Sequence, residues 1–145
     1  MANITPQSDL LAGVAGQSGD TILPDQVDFL AGHLPPLFST AETVLSGEVL
    51  AALTVVGFDA DGKVVEALTG SADPADDIQA VGVMPYAVDA SGGDVDSEIY
   101  RSGNFDPAQL VWPDSFDTDA KKRAAFEGAP SPTQVVITPN RTFAV

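Results

Sequence analysis

Residues 49–58 read Val-Leu-Ala-Ala-Leu-Thr-Val-Val-Gly-Phe, followed by Asp59-Ala-Asp-Gly62 and then Lys63-Val-Val-Glu-Ala-Leu68. The first limb is rich in β-branched and aliphatic residues, the middle is turn chemistry, and the last limb returns to apolar residues. The predicted unit is a hairpin with strands over 49–58 and 63–68. Gly and Pro punctuate the sequence around it, 13 and 11 in 145 residues, too densely for long helices. The expected architecture is mainly β, with short strands joined by turns.

Toward the C-terminus, Ser71 to Asp77 reads as an acidic loop and Ala80-Val-Gly-Val-Met84 as a short strand. Gly82 inside that strand predicts a bulge or the close approach of another backbone. Asp89-Ala-Ser-Gly-Gly-Asp94 is a turn, and Val95 to Arg101 is a further strand. One helix is predicted, capped by Asp117 or Thr118, running through Ala120–Phe126 and ending at Gly128. Asp117 with Lys121, and Asp119 with Arg123, would be acid-first i,i+4 pairs on it. Gln134-Val-Val-Ile-Thr138 supplies a last strand.

Toward the N-terminus the character changes. Residues 1–43 contain no Lys or Arg, and their apolar residues come in clumps: Leu10-Leu11, Ile22-Leu23, Phe29-Leu30, Leu37-Phe38. Glycines and Pro24, Pro35 and Pro36 separate the clumps, so neither a helical nor a strand period persists. The segment is too apolar for an ordinary disordered tail and too broken for a compact domain. It reads as an extended N-terminal arm over 1–43 that takes its order from a surface outside itself, leaving a β-rich domain over 44–145.

Composition narrows the function classes. The chain has the size of one domain, and 44% apolar residues suffice for one core. Twenty-one acids against 6 bases give a net charge of −15, which argues against nucleic acid and anionic membrane surfaces as partners. There is no cysteine for a disulfide, a thiolate nucleophile or a Cys-based zinc site. The opening residues lack the basic and apolar regions of a secretory signal, and the longest apolar run is about half of what a membrane span needs.

No pattern of catalytic residues emerges. Asp59-Ala-Asp61-Gly62 opens like a calcium loop, but its twelfth position is Gly70 where a glutamate is required, so the turn reading stands. Asp73, Asp76 and Asp77 form one acidic cluster, and Asp89, Asp94 and Asp96 another. With sixteen aspartates such clusters arise by chance, and Pro/Gly-rich loops are poor platforms for paired-carboxylate chemistry. The single histidine, His33, has no partner motif, and no nucleophile elbow, phosphate loop or dinucleotide fingerprint exists. Lys121-Lys122-Arg123 suits pairing with local acids. No catalytic residue, metal site or cofactor is expected. The aromatic block is more informative. Tyr100, Phe105, Trp112, Pro113 and Phe126 form a core or a subunit interface, where Trp is enriched.

At these residues the sequence resembles the phage lambda-type head decoration proteins, also called capsid cement proteins. The resemblance rests on the order and spacing of Ala80-Val-Gly-Val83, the turn after it, Tyr100-Arg-Ser-Gly-Asn-Phe105, Leu110-Val-Trp-Pro113 and Lys121-Lys-Arg-Ala-Ala-Phe-Glu-Gly128. It implies a non-enzymatic virion protein with a small β-clip or β-tulip-like domain. It further implies a homotrimer on the outer surface of the bacteriophage head, binding the major capsid protein and stabilising the expanded shell. In such proteins an N-terminal arm orders against the capsid. Ile4, Leu10, Leu11, Val14, Ile22 and Leu23 would make that contact here, from an arm longer than in lambda-type proteins. The residues alone also suit a small acidic β ligand-binding or adhesion module, which would need no symmetry.

Overall fold

The computed structural model describes residues 29–139. Within them lie β1 (Leu30–Gly32), β2 (Phe38–Val44), β3 (Val49–Leu50), β4 (Val55–Phe58), β5 (Val64–Glu66), β6 (Ala80–Val83), β7 (Val88–Asp89), β8 (Val95–Phe105), α1 (Asp119–Ala124) and β9 (Gln134–Ile137). The fold is mainly β, with one short α-helix among the described residues.

The predicted hairpin forms as β4 and β5, antiparallel, with Val56 opposite Glu66 and Phe58 opposite Val64. Asp59 makes its turn, accepting from the backbone N–H of Asp61 at 2.9 Å and of Lys63 at 2.8 Å. The limb expected over 49–58 does not run as one strand. Leu53 takes a positive φ of 65°, donates its N–H to Met84 O and accepts from Val111 N–H. These long-range partners turn the chain at a residue whose side chain disfavours that conformation. β3 is thereby freed to pair with β7, separately from β4.

Five strands close on themselves in the order β8-β2-β5-β4-β6-β8, the last step through Val83 opposite Tyr100. Each contributes to an apolar interior: Ile99, Val44, Val64, Val56 and Val81, joined by Leu50, Met84, Val88 and Ala90. Successive strand residues point to opposite faces, so Val55 leaves the interior that Val56 enters. It joins Ala80, Val83, Phe105, Leu110, Phe116, Ala125 and Phe126 in a second cluster outside the barrel. Gly82 has the close approach its position predicts: an added Cβ would lie 2.7 Å from Tyr100 O and 3.0 Å from Ile99 Cδ1.

β8 is the organising strand. Its first part pairs with β2 from Val44–Val95 to Ser39–Tyr100, after which the register slips and Phe38 meets Ser102. The bulge leaves Arg101 without an opposite residue and reverses the side-chain alternation. Tyr100 and Phe105, five apart, therefore both reach the outer cluster. Beyond the bulge β8 is flanked by antiparallel β1 and parallel β9. Residues 30–43, read from sequence as part of the arm, thus lie in β1, its following loop and β2. Most of this segment has no apolar alternation, so its pairing to β8 could not be read locally.

Helix α1 has the predicted start. Thr118 caps it, its Oγ1 accepting from Lys121 N–H at 3.2 Å. Asp117 and Lys121 pair at 2.9 Å. Among the described residues, Asp119 and Arg123 form no ion pair within 4.0 Å. Gly128, with φ +79°, lies in the turn that follows.

Candidate assembly surface

The acidic loops serve as local staples. Asp77 accepts from Ser71 Oγ at 2.6 Å and from the backbone N–H of Ser71 and Gly70, while Asp73 caps the 3-10 turn at Pro74–Asp76. Asp89 holds Ser91 in the same manner, and Asp94 receives Lys63 Nζ at 2.7 Å. These bonds keep the Asp77, Asp89 and Asp94 carboxyls below the ordinary aspartate value, chiefly through the Ser71 hydroxyl, the Ser91 hydroxyl and the Lys63 ammonium. Among the described residues, no group of three or more His, Cys, Asp or Glu is placed to hold a metal ion.

The four aromatic residues among those singled out from sequence, Tyr100, Phe105, Trp112 and Phe126, meet at the second cluster. Phe105 and Phe126 are buried, whereas Tyr100, Trp112 and Pro113 are half-buried. Phe29 stacks on Tyr100 at 6.1 Å and on Phe105 at 5.9 Å between ring centroids. Burial pushes the Tyr100 hydroxyl up, with smaller contributions from Tyr86 and Glu98. Trp112 tilts against Phe116 at 5.5 Å and donates its indole N–H to Pro107 O at 2.9 Å, with Lys122 Nζ over its ring. Phe105 and Phe126 belong to the second cluster and Tyr100 and Trp112 pack against it, whereas Pro113 lines the acidic groove beside Trp112. Ile4, Leu10, Leu11, Val14, Ile22 and Leu23 lie outside the described residues.

Two surface features escaped the sequence reading. One is an acidic groove between β5 and residues 111–115, where Glu48, Glu66 and Asp114 surround Leu68 and Val111. Burial, then Glu48 and Asp114, push the Glu66 carboxyl up.

The other lies at the far end of β8. Leu34, Leu37, Phe38 and Val136 are large apolar side chains left exposed around residues 102–104. Ser102 Oγ donates to Pro36 O at 2.7 Å, which lays the β1–β2 loop across β8, and Leu37 packs over Gly103. Asn104 pairs with Gly32 on one side and Val136 on the other, and its Oδ1 has no hydrogen-bond donor. The available signal was an absence of charge. Residues 29–41, 102–105 and 128–139 contain no Asp, Glu, Lys or Arg.

A family model described as the bacteriophage lambda head decoration protein D matches residues 23–131. No curated protein matches the chain. The match spans β1 to β8 and α1, including the closed barrel, the bulged β8 and the aromatic packing, and leaves β9 beyond its end. With most of its length so covered, the chain belongs to the bacteriophage lambda head decoration protein D family.

Proposed function

We propose that this protein is a structural component of the phage virion. It assembles as a homotrimer, sits on the outer surface of the head, and binds the major capsid protein so as to stabilise the expanded shell. It acts as a fastener and not as an enzyme. Membership of the head decoration family over residues 23–131 is the observation that carries this reading.

The physics of the N-terminal segment supports it. Ordering a chain costs about 1–2 kcal/mol per residue, so the apolar clumps at Ile4, Leu10-Leu11, Val14 and Ile22-Leu23 need a partner that buries them. An exposed sheet edge of the capsid protein offers backbone hydrogen bonds and pockets for alternate side chains. Three such arms on one trimer convert weak contacts into firm attachment, because the second and third engage at roughly millimolar effective concentration. The net charge of −15 keeps decorated particles from adhering to one another.

Deleting residues 1–20 tests the arm. The truncated protein is expected to remain a soluble trimer and to lose binding to expanded heads. Full occupancy by the truncated form would remove the arm from the mechanism.

A further inference from the structure

We infer that residues 140–145 seat in the groove between α1 and residues 106–108, where they clamp the helix to the end of the sheet. This seat belongs to the single chain and stands whether or not the trimeric and capsid-binding reading does.

The backbone delivers the segment to the groove. β9 runs parallel to β8 from Gln134 opposite Ser102 to Ile137 opposite Phe105, and Thr138 N–H still donates to Phe105 O at 3.0 Å. Neither Pro107 nor Pro139 has an N–H with which to extend that ladder, so strand pairing stops there. Pro139 itself lines a groove of about 410 Å³, together with Asp106, Pro107, Ala108 and three residues of α1, Asp119, Lys122 and Arg123. The next six residues, Asn140-Arg-Thr-Phe-Ala-Val145, thus start at the groove wall, and fully extended they span at most about 20 Å.

Helix α1 is short of cover. At six residues it is well below the roughly 12–15 at which a helix persists on its own, so packing has to hold it. Yet none of its six residues is buried, and its anchorage to the second cluster comes from Ala125 and Phe126 just past its end. Residues 140–145 carry what the groove beside it lacks. Phe143 is a large apolar side chain that gains by leaving water for Pro107, Ala108 and Pro139. Arg141 is the one charged side chain in the segment. Asp119 and Arg123, although four apart, form no ion pair within 4.0 Å among the described residues, and Arg141 offers Asp119 a guanidinium that can bind it through two parallel bonds. Of the two bases in the lining, Lys122 is already engaged over the Trp112 ring at 5.9 Å. Residues 1–28 carry four aspartates and no base, and would bring acid to Asp106 and Asp119.

Nuclear Overhauser spectroscopy on the full chain, with exchange of the α1 amides followed by mass spectrometry, tests the seat. Wild type is expected to show contacts from the Phe143 ring to the Ala108 methyl. In a mixture of isotope-labelled and unlabelled protein these contacts should stay within one chain. Phe143→Asp should abolish them and speed exchange of the α1 amides about fivefold or more, and Arg141→Glu should speed it in the same direction. Both substitutions lie outside the folded core, so native circular dichroism is expected for each. Leu23→Asp, the same kind of change placed in 1–28, should leave α1 exchange as in wild type. Absence of the Phe143–Ala108 contact, or wild-type α1 exchange in either tail variant, would overturn the inference. Contacts joining labelled to unlabelled chains would give the groove to a neighbour's segment, and faster α1 exchange in Leu23→Asp would give it to residues 1–28; either result likewise overturns it.

Discussion

Thr133 holds Arg101 across the end of the barrel. Its hydroxyl oxygen accepts from Arg101 Nε at 3.1 Å and Nη2 at 2.9 Å, and its own proton goes to Val81 O at 3.0 Å. Glu42 lies 3.6 Å from Arg101 Nη1, and the Phe58 ring sits under the guanidinium at 5.3 Å. The unpaired residue of the β8 bulge thus ties together β2, β4, β6 and the segment entering β9. Burial pulls the Arg101 pKa down while Glu42 opposes that shift.

Replacing one member of this pair should be costly. Thr133→Val leaves the buried Arg101 donors and the Val81 carbonyl unmet, at about 1–3 kcal/mol. Arg101→Met removes the donors that Thr133 accepts from, while Glu42 keeps its bond from the Thr40 hydroxyl, and is expected to cost about 1–3 kcal/mol. In the double variant the polar demands disappear together, so its loss should fall below the sum of the two single losses. Urea unfolding of the four proteins measures the coupling, and strict additivity would show that Thr133 and Arg101 do not act as a unit.

Gly82→Ala should destabilise by about 1–3 kcal/mol, because the methyl group must displace the Tyr100 carbonyl where β6 closes against β8. Gly92, with open space around its Cβ position, provides the control. Gly92→Ala should stay within about 0.5 kcal/mol of wild type. Equal melting temperatures for the two variants would contradict the closure described at Val83–Tyr100.

Glu66 predicts a pH signature. Its carboxyl is raised above the ordinary 4.5, so the folded state holds that proton more tightly than the unfolded chain does. The associated stability is present below pH 4.5 and is lost as pH rises through the raised value. Asp77, Asp94 and Asp117 act in the opposite sense, held below 3.8 mainly by Ser71, Lys63 and Lys121. Their contribution is present above that value and disappears as pH falls through the lowered one. Glu66→Gln should therefore raise the melting temperature at pH 7 and match wild type below pH 4.5. An equal gain at both pH values would assign the effect to something other than ionisation in the acidic groove.

What was legible in the sequence was local. The Asp59–Gly62 turn, the close approach at Gly82 and the Thr118 cap each depend on residues within a few positions, and each formed. What was hidden depended on distant partners. Leu53 turns because Met84 and Val111 hold its backbone, which no pattern over 49–58 announces. Phe38 to Val44 is a strand because β8 receives it, although Ser39, Thr40, Glu42 and Thr43 conceal any apolar face. Tyr100, Phe105, Trp112 and Phe126, with Pro113 beside the tryptophan, could be grouped from sequence, but sequence left open whether they pack inward or against a neighbour. The exposed Leu34 and Val136 were missed because the segments that carry them are far apart in sequence and flank β8 only after folding.

Imaging expanded heads of the cognate phage, prepared without this protein and then mixed with it, tests the central claim most directly. The account predicts added density on the outer surface at the local three-fold positions, three copies to each, together with greater resistance of the shell to disruption. Heads that stay bare at saturating protein, or that bind it without three-fold order and without gaining strength, would contradict it.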